Sequence, residues 1–122
     1  MEDSNKLYGW IKEFNAAITV CNHEGIIVAM NDKSAKTFEK DGGNKLLGTN
    51  LFDCHPEPSK TGLRTLMDSQ TSNCYTIEKQ GKKKLIYQSQ WYDDSKFKGF
   101  VEISIELPEV MRHFIRDKSI EK

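Results

Sequence analysis

Two side chains with chemical reach stand side by side in the run Cys54-His55-Pro56-Glu57-Pro58. An imidazole titrates near neutrality and can act as acid, base or metal ligand. A thiol becomes a nucleophile once its pKa is depressed and reagents can reach it. Pro56 and Pro58 lack an amide hydrogen and disfavour helical geometry in the residue before each, so His55 and Glu57 belong to a stiff, partly extended loop. In that loop His55 either bonds a backbone carbonyl and shapes the chain or contacts a ligand or metal. Cys54 is either a reactive thiol or a small buried hydrophobe. Catalysis by this pair, as acid-base group or nucleophile, requires one of them to titrate near neutrality beside a pocket. The sequence holds no nucleophile elbow, P-loop or HExxH, and its acidic residues are scattered, so no enzyme is expected.

The composition narrows the classes further. Eighteen Lys and Arg balance eighteen Asp and Glu, which leaves no electrostatic footprint for nucleic acid. The basic cluster Lys82-Lys83-Lys84 follows Gly81 between two apolar runs and reads as a solvated hairpin tip. Glu2 and Asp3 stand where a signal peptide carries positive charge, and no run approaches 18 apolar residues, so a cytoplasmic protein without a membrane segment is expected. Cys21, Cys54 and Cys74 are far apart and form no CxxC, so reduced thiols are expected.

The elements that position these residues follow from periodicity. Leu7, Trp10, Ile11 and Phe14 make one apolar stripe, so residues 1–17 are expected as an amphipathic helix that covers its own sheet or meets a second copy. Two apolar runs, 18–21 and 26–30, flank Asn22-His23-Glu24-Gly25, a hairpin in which Gly25 supplies positive φ and Asn22 closes the turn. Asn31 or Asp32 caps a helix to Lys40, Gly48 closes a further helical turn, and Ser59 or Thr61 caps a helix through Leu63, Leu66 and Met67. Three strands follow, over 74–78, 84–92 and 100–106, turned at Gln80-Gly81 and Asp93 to Lys96. Leu85, Tyr87, Ser89 and Trp91 share one face of the second, which, if inward, places a phenol and a hydroxyl in an apolar lining. In the last, alternation points Val101, Ile103 and Ile105 inward and Glu102, Ser104 and Glu106 outward. Val110, Met111, Phe114 and Ile115 have helical spacing, so 108–122 reads as a helical tail that caps its own domain or reaches a partner.

The segment Asn22-His23-Glu24-Gly25-Ile26-Ile27-Val28-Ala29-Met30-Asn31 resembles the opening hairpin pattern of the PAS domain family, (D/N)-x-x-G-x-I-x-x-x-N. Leu46-Leu47-Gly48-Thr49-Asn50-Leu51-Phe52-Asp53 is similar to the passage between its short helices. The resemblance covers residues 18–107 and implies an α+β fold: a five-stranded antiparallel sheet with short helices on one face, here with N- and C-terminal helices added. It implies a sensory signalling domain that takes a small molecule between helices and sheet and acts through a homodimer or a separate signalling protein. On this reading His55, Cys54, Tyr75, Tyr87 and Trp91 are the candidate ligand-binding residues. His55 is a metal ligand only if haem is bound, because several PAS domains hold haem through a His of this region. The flavin-photoreceptor motif is not met, since Asn73-Cys74-Tyr75 lacks its remaining residues and falls on a strand. The alternatives are a dimerisation or adaptor module whose interior is filled by Phe38, Phe52, Met67 and Trp91, and a small enzyme using His55 and Cys54.

Overall fold

The computed structural model describes residues 9–54 and 57–117. Five strands, β1 (Ala17–Asn22), β2 (Ile27–Met30), β3 (Asn73–Lys79), β4 (Lys82–Asp93) and β5 (Lys96–Glu106), form one sheet in the order β2-β1-β5-β4-β3. Every neighbouring pair is antiparallel. Helices α1 (Asp32–Thr37), α2 (Leu51–Cys54) and α3 (Ser59–Ser69), with two 3-10 turns at Glu39–Asp41 and Gly43–Leu46, fill the connection between β2 and β3.

Local chemistry sets each turn. Asn22 Oδ1 accepts from the amides of Glu24 and Ile26 at 2.9 and 3.0 Å, and Gly25 takes φ +86°. The β3–β4 and β4–β5 loops are two-residue turns with both residues at positive φ, Gln80-Gly81 and Asp94-Ser95, the geometry that matches strand twist. Asn31 caps α1 through Oδ1, which accepts from Ser34 N at 3.0 Å. The cap of α3 differs from expectation: Glu57 Oε1 accepts from Thr61 N and Oγ1, so an acidic residue ahead of the helix serves its first-turn donors.

The termini also differ. Only residues 9–12 of the leading segment are helical among those described, and Ala17 already belongs to β1; residues 1–8 lie outside the described residues. Asn31 ends the helix by donating to the Ile11 and Ala16 carbonyls at 3.0 and 2.8 Å, which ties the chain into a turn. Residues 107–117 carry no helix despite their spacing. Val110, Met111, Phe114 and Ile115 are all at least 61% exposed, so no surface among the described residues buries their stripe, and an unsupported helix this short is marginal in water.

The helix-covered face holds the core at one end of the sheet. Cys21, Phe52, Met67 and Phe100 are buried together, with Leu51, Leu63, Leu66 and Phe97 packed around them. Facing α3, β5 presents Phe100, Glu102 and Ser104 and β4 presents Lys84, Ile86 and Gln88. The expected inward set is therefore reversed. Val101 and Trp91 lie on the opposite face with Ile18, Val20 and Val28. The helices cover the more polar face of β5, a choice alternation alone cannot make because both faces have period two.

Candidate functional site

A cavity of about 740 Å³ opens between α3 and the outer strands. Phe38, Leu63 and Leu66 form its helix side, and Tyr75, Ile86, Gln88, Glu102 and Ser104 line its sheet side. A smaller space of about 70 Å³ continues from Glu102 and Gln88 toward Thr19, Cys21 and Phe100. Both contact Leu63, so one helix roofs them.

The sheet side is organised as a polar row across four strands. Asn73 faces Gln88, Gln88 faces Glu102, and Glu102 faces Thr19 in the strand register. Asn73 Nδ2 donates to Gln88 Oε1 at 3.2 Å, and Gln88 Nε2 donates to Glu102 Oε1 at 2.7 Å. At the far end the Thr19 and Ser34 hydroxyls share a hydrogen bond. The orientation is consistent along the row: each amide is fixed by the next, and the series ends on a half-buried carboxylate. Burial, with the Glu102 charge second, pushes the Tyr75 hydroxyl above its ordinary value. Burial likewise pushes the Cys21 thiol up, so this cysteine behaves as a small core residue.

Of the sequence candidates, Tyr75 lines the cavity. Tyr87 and Trp91 do not. Tyr87 pairs with Ile103 on the face away from α3, and Trp91 lies on that face too, where its Nε1 donates to the Cys21 carbonyl oxygen at 3.0 Å. A phenol and an indole on that side reflect the reversed parity of β4. His55 and the Cys54 side chain lie outside the described residues. His23, in the β1–β2 turn, and His113, in the tail, are absent from the cavity wall. Gln88 and Glu102 were missed by the sequence reading, which assigned both to outward positions or none. Half of the signal was present in the register: counting back from Gln80-Gly81 sets Asn73 opposite Gln88, but counting back from Asp94-Ser95 sets Val101 there, and only the bulge between Trp91 and Tyr92 brings Glu102 onto the line.

Among the described residues no group of three or more His, Cys, Asp or Glu could hold a metal ion, and no helix is long and apolar enough to cross a membrane.

An antiparallel sheet of order 2-1-5-4-3, with all helices but the leading one inserted between the second and third strands, defines a sheet-and-helix cradle of the α+β class. It is the fold of a PAS domain. Neither a protein-family model nor a curated protein matches the sequence. Solved structures match its fold. The PAS domain of BvgS from Bordetella pertussis is 14% identical with a TM-score of 0.63, covering 89% of this chain and 89% of that one. The PAS domain of an HTR-like protein from Haloarcula marismortui is 14% identical with a TM-score of 0.61, covering 87% of this chain and 93% of that one. The Aer2 receptor from Vibrio cholerae, described as a dual PAS-haem oxygen sensor, is 12% identical with a TM-score of 0.57, covering 76% of this chain and 95% of that one.

Proposed function

We propose that this domain is a sensory module that takes a small organic molecule into the cavity under α3 and passes its occupancy to a protein partner. The observation that carries this reading is the cavity itself. A space of about 740 Å³ falls in the range of small-molecule sites, and its wall sets the apolar Phe38, Leu63, Leu66 and Ile86 against the polar Asn73, Gln88, Glu102 and Ser104. The reading assigns the domain no catalysis. Support also comes from solved structures of similar fold, which include a sensor histidine kinase from Vibrio cholerae and the PAS domain of the histidine kinase ThkA.

The test is a fragment screen read by amide chemical shifts. Compounds that bind are expected to move Gln88, Glu102, Ser104 and Leu66 together. A screen whose hits leave all four unmoved contradicts the reading.

The opposite face of the sheet supports the partner half of the proposal. Val28, Tyr87 and Ile105 are 48%, 40% and 38% exposed, and a cleft of about 540 Å³ lined by Ile11, Ile18, Val20 and Trp91 adjoins them. Exposed apolar surface of this kind marks a protein contact, and a second copy is the partner the reading favours. Sedimentation over micromolar to millimolar concentration is expected to show the weight-average mass rising toward twice the monomer, and Val28→Lys to hold it at the monomer. A native protein that stays monomeric throughout rules out self-association and leaves a different protein as partner.

A further inference from the structure

We propose that the ligand of this cavity is an organic cation, an amine or amidine on an apolar body, whose charge pairs with the Glu102 carboxylate. The inference rests on the reading of the cavity as a small-molecule site and adds the chemical class. Glu102 is half-buried, lines both the large and the small space under α3, and takes part in no ion pair among the described residues. Its Oε1 is occupied by the Gln88 amide, itself held by Asn73. One neutral amide leaves most of the capacity of a carboxylate open, since such a group has about four acceptor sites. The lysines of the cavity do not neutralise it. Lys84 stands four residues from Gln88 on β4, about 13 Å along the strand, and Lys79 is paired beyond it next to the β3–β4 turn. Asp41, on the helix side, adds a second negative charge to the wall.

A half-buried carboxylate without a cation is costly, and the surrounding surface says what would complete it. Leu63, Leu66 and Ile86 offer apolar contact for the body of the ligand, and Tyr75 adds an aromatic ring beside the charge. Burial and the charge of Glu102 both hold the Tyr75 phenol protonated, so the ring presents a hydrogen-bond donor and a π-face, never a competing anion. An anionic ligand at this end of the cavity would meet Glu102, with Lys84 and Lys79 toward the β3–β4 turn. A neutral alcohol could donate to Glu102 but would forgo the charge.

Three probes of one skeleton separate these cases: phenethylamine, 2-phenylethanol and phenylacetate, each titrated into the full chain with amide shifts as readout. Phenethylamine is expected to bind at least about tenfold more tightly than the alcohol, the scale of a charge-assisted hydrogen bond, and phenylacetate more weakly than either. Glu102→Gln keeps the shape and removes the charge, so the amine should fall to the affinity of the alcohol while the alcohol is unchanged. The preference among the three probes in the native protein stands as a test even if that variant does not fold. Equal binding of amine and alcohol, or stronger binding of phenylacetate, overturns the cation assignment and leaves the cavity reading intact. Failure of all three to shift any cavity residue overturns both.

Discussion

Replacing Asn31 by Ala is expected to destabilise the domain by about 3–5 kcal/mol, far beyond the roughly 1 kcal/mol of an ordinary helix cap. Asn31 is 4% exposed and uses its whole amide. Oδ1 accepts from Ile18 N at 2.9 Å and Ser34 N at 3.0 Å, while Nδ2 donates to the Ile11 and Ala16 carbonyls. One side chain therefore joins the end of the leading helix, the first residues of β1 and the start of α1. Truncation leaves two donors and two acceptors to find new partners, and buried polar groups left alone are the expensive case. Asn31→Asp separates this account from simple capping. Aspartate is as good a cap as asparagine, so a pure capping role predicts little change. In this site its second oxygen would face two carbonyls, so Asp is expected to cost several kcal/mol as well, and less at pH 4 than at pH 7. Urea unfolding of the two variants measures both; an Asp variant as stable as the native protein would show that the donor half of the amide carries nothing.

Gly99→Ala is expected to cost about 3 kcal/mol or more, or to prevent folding. Gly99 pairs with Asn22 at the end of the β1–β5 ladder, at φ +149°. A Cβ there would overlap the Cys21 carbonyl oxygen and lie 2.7 Å from the Asn22 Cα, and both are backbone atoms that cannot step aside. Backbone strain and overpacking each cost about 1–3 kcal/mol and here they act together. The damage falls in a telling place, because Cys21 belongs to the core beneath α2 and α3 and its carbonyl receives the Trp91 indole. Thermal unfolding followed by circular dichroism reads the effect, and a midpoint unchanged within about 1 °C would mean that the two strands can separate at this point without loss.

The turns were the legible part of this sequence. Asn22 with Gly25, Gln80 with Gly81, and the Asp94-Ser95 pair carry side-chain or backbone preferences that act within a few residues, so the hairpins follow from local chemistry. Asn31 was legible as a cap but not as a clamp, because two of its four partners lie on a segment 15 to 20 residues away. The faces of β4 and β5 were not legible. Alternation separates Val101, Ile103 and Ile105 from Glu102 and Ser104, but which set the helices cover depends on how the whole insertion between β2 and β3 packs. The apolar set faces away from α3 and the polar set floors the cavity, so Tyr87 and Trp91 moved out of the site and Gln88 and Glu102 moved in. The tail misled for a related reason: helical spacing records what could be buried, and residues 107–117 have no surface to bury it against among the described residues.

Occupancy of the cavity under α3 is the claim on which the rest depends, and native mass spectrometry of the freshly purified full chain tests it most directly. The account predicts a fraction of molecules heavier than the polypeptide by the mass of one small organic compound. That excess should be lost on denaturation and reduced when Ser104→Phe fills the floor of the cavity. A native protein found only at its bare mass, together with amide shifts around Gln88 and Glu102 that no added compound moves, would contradict it.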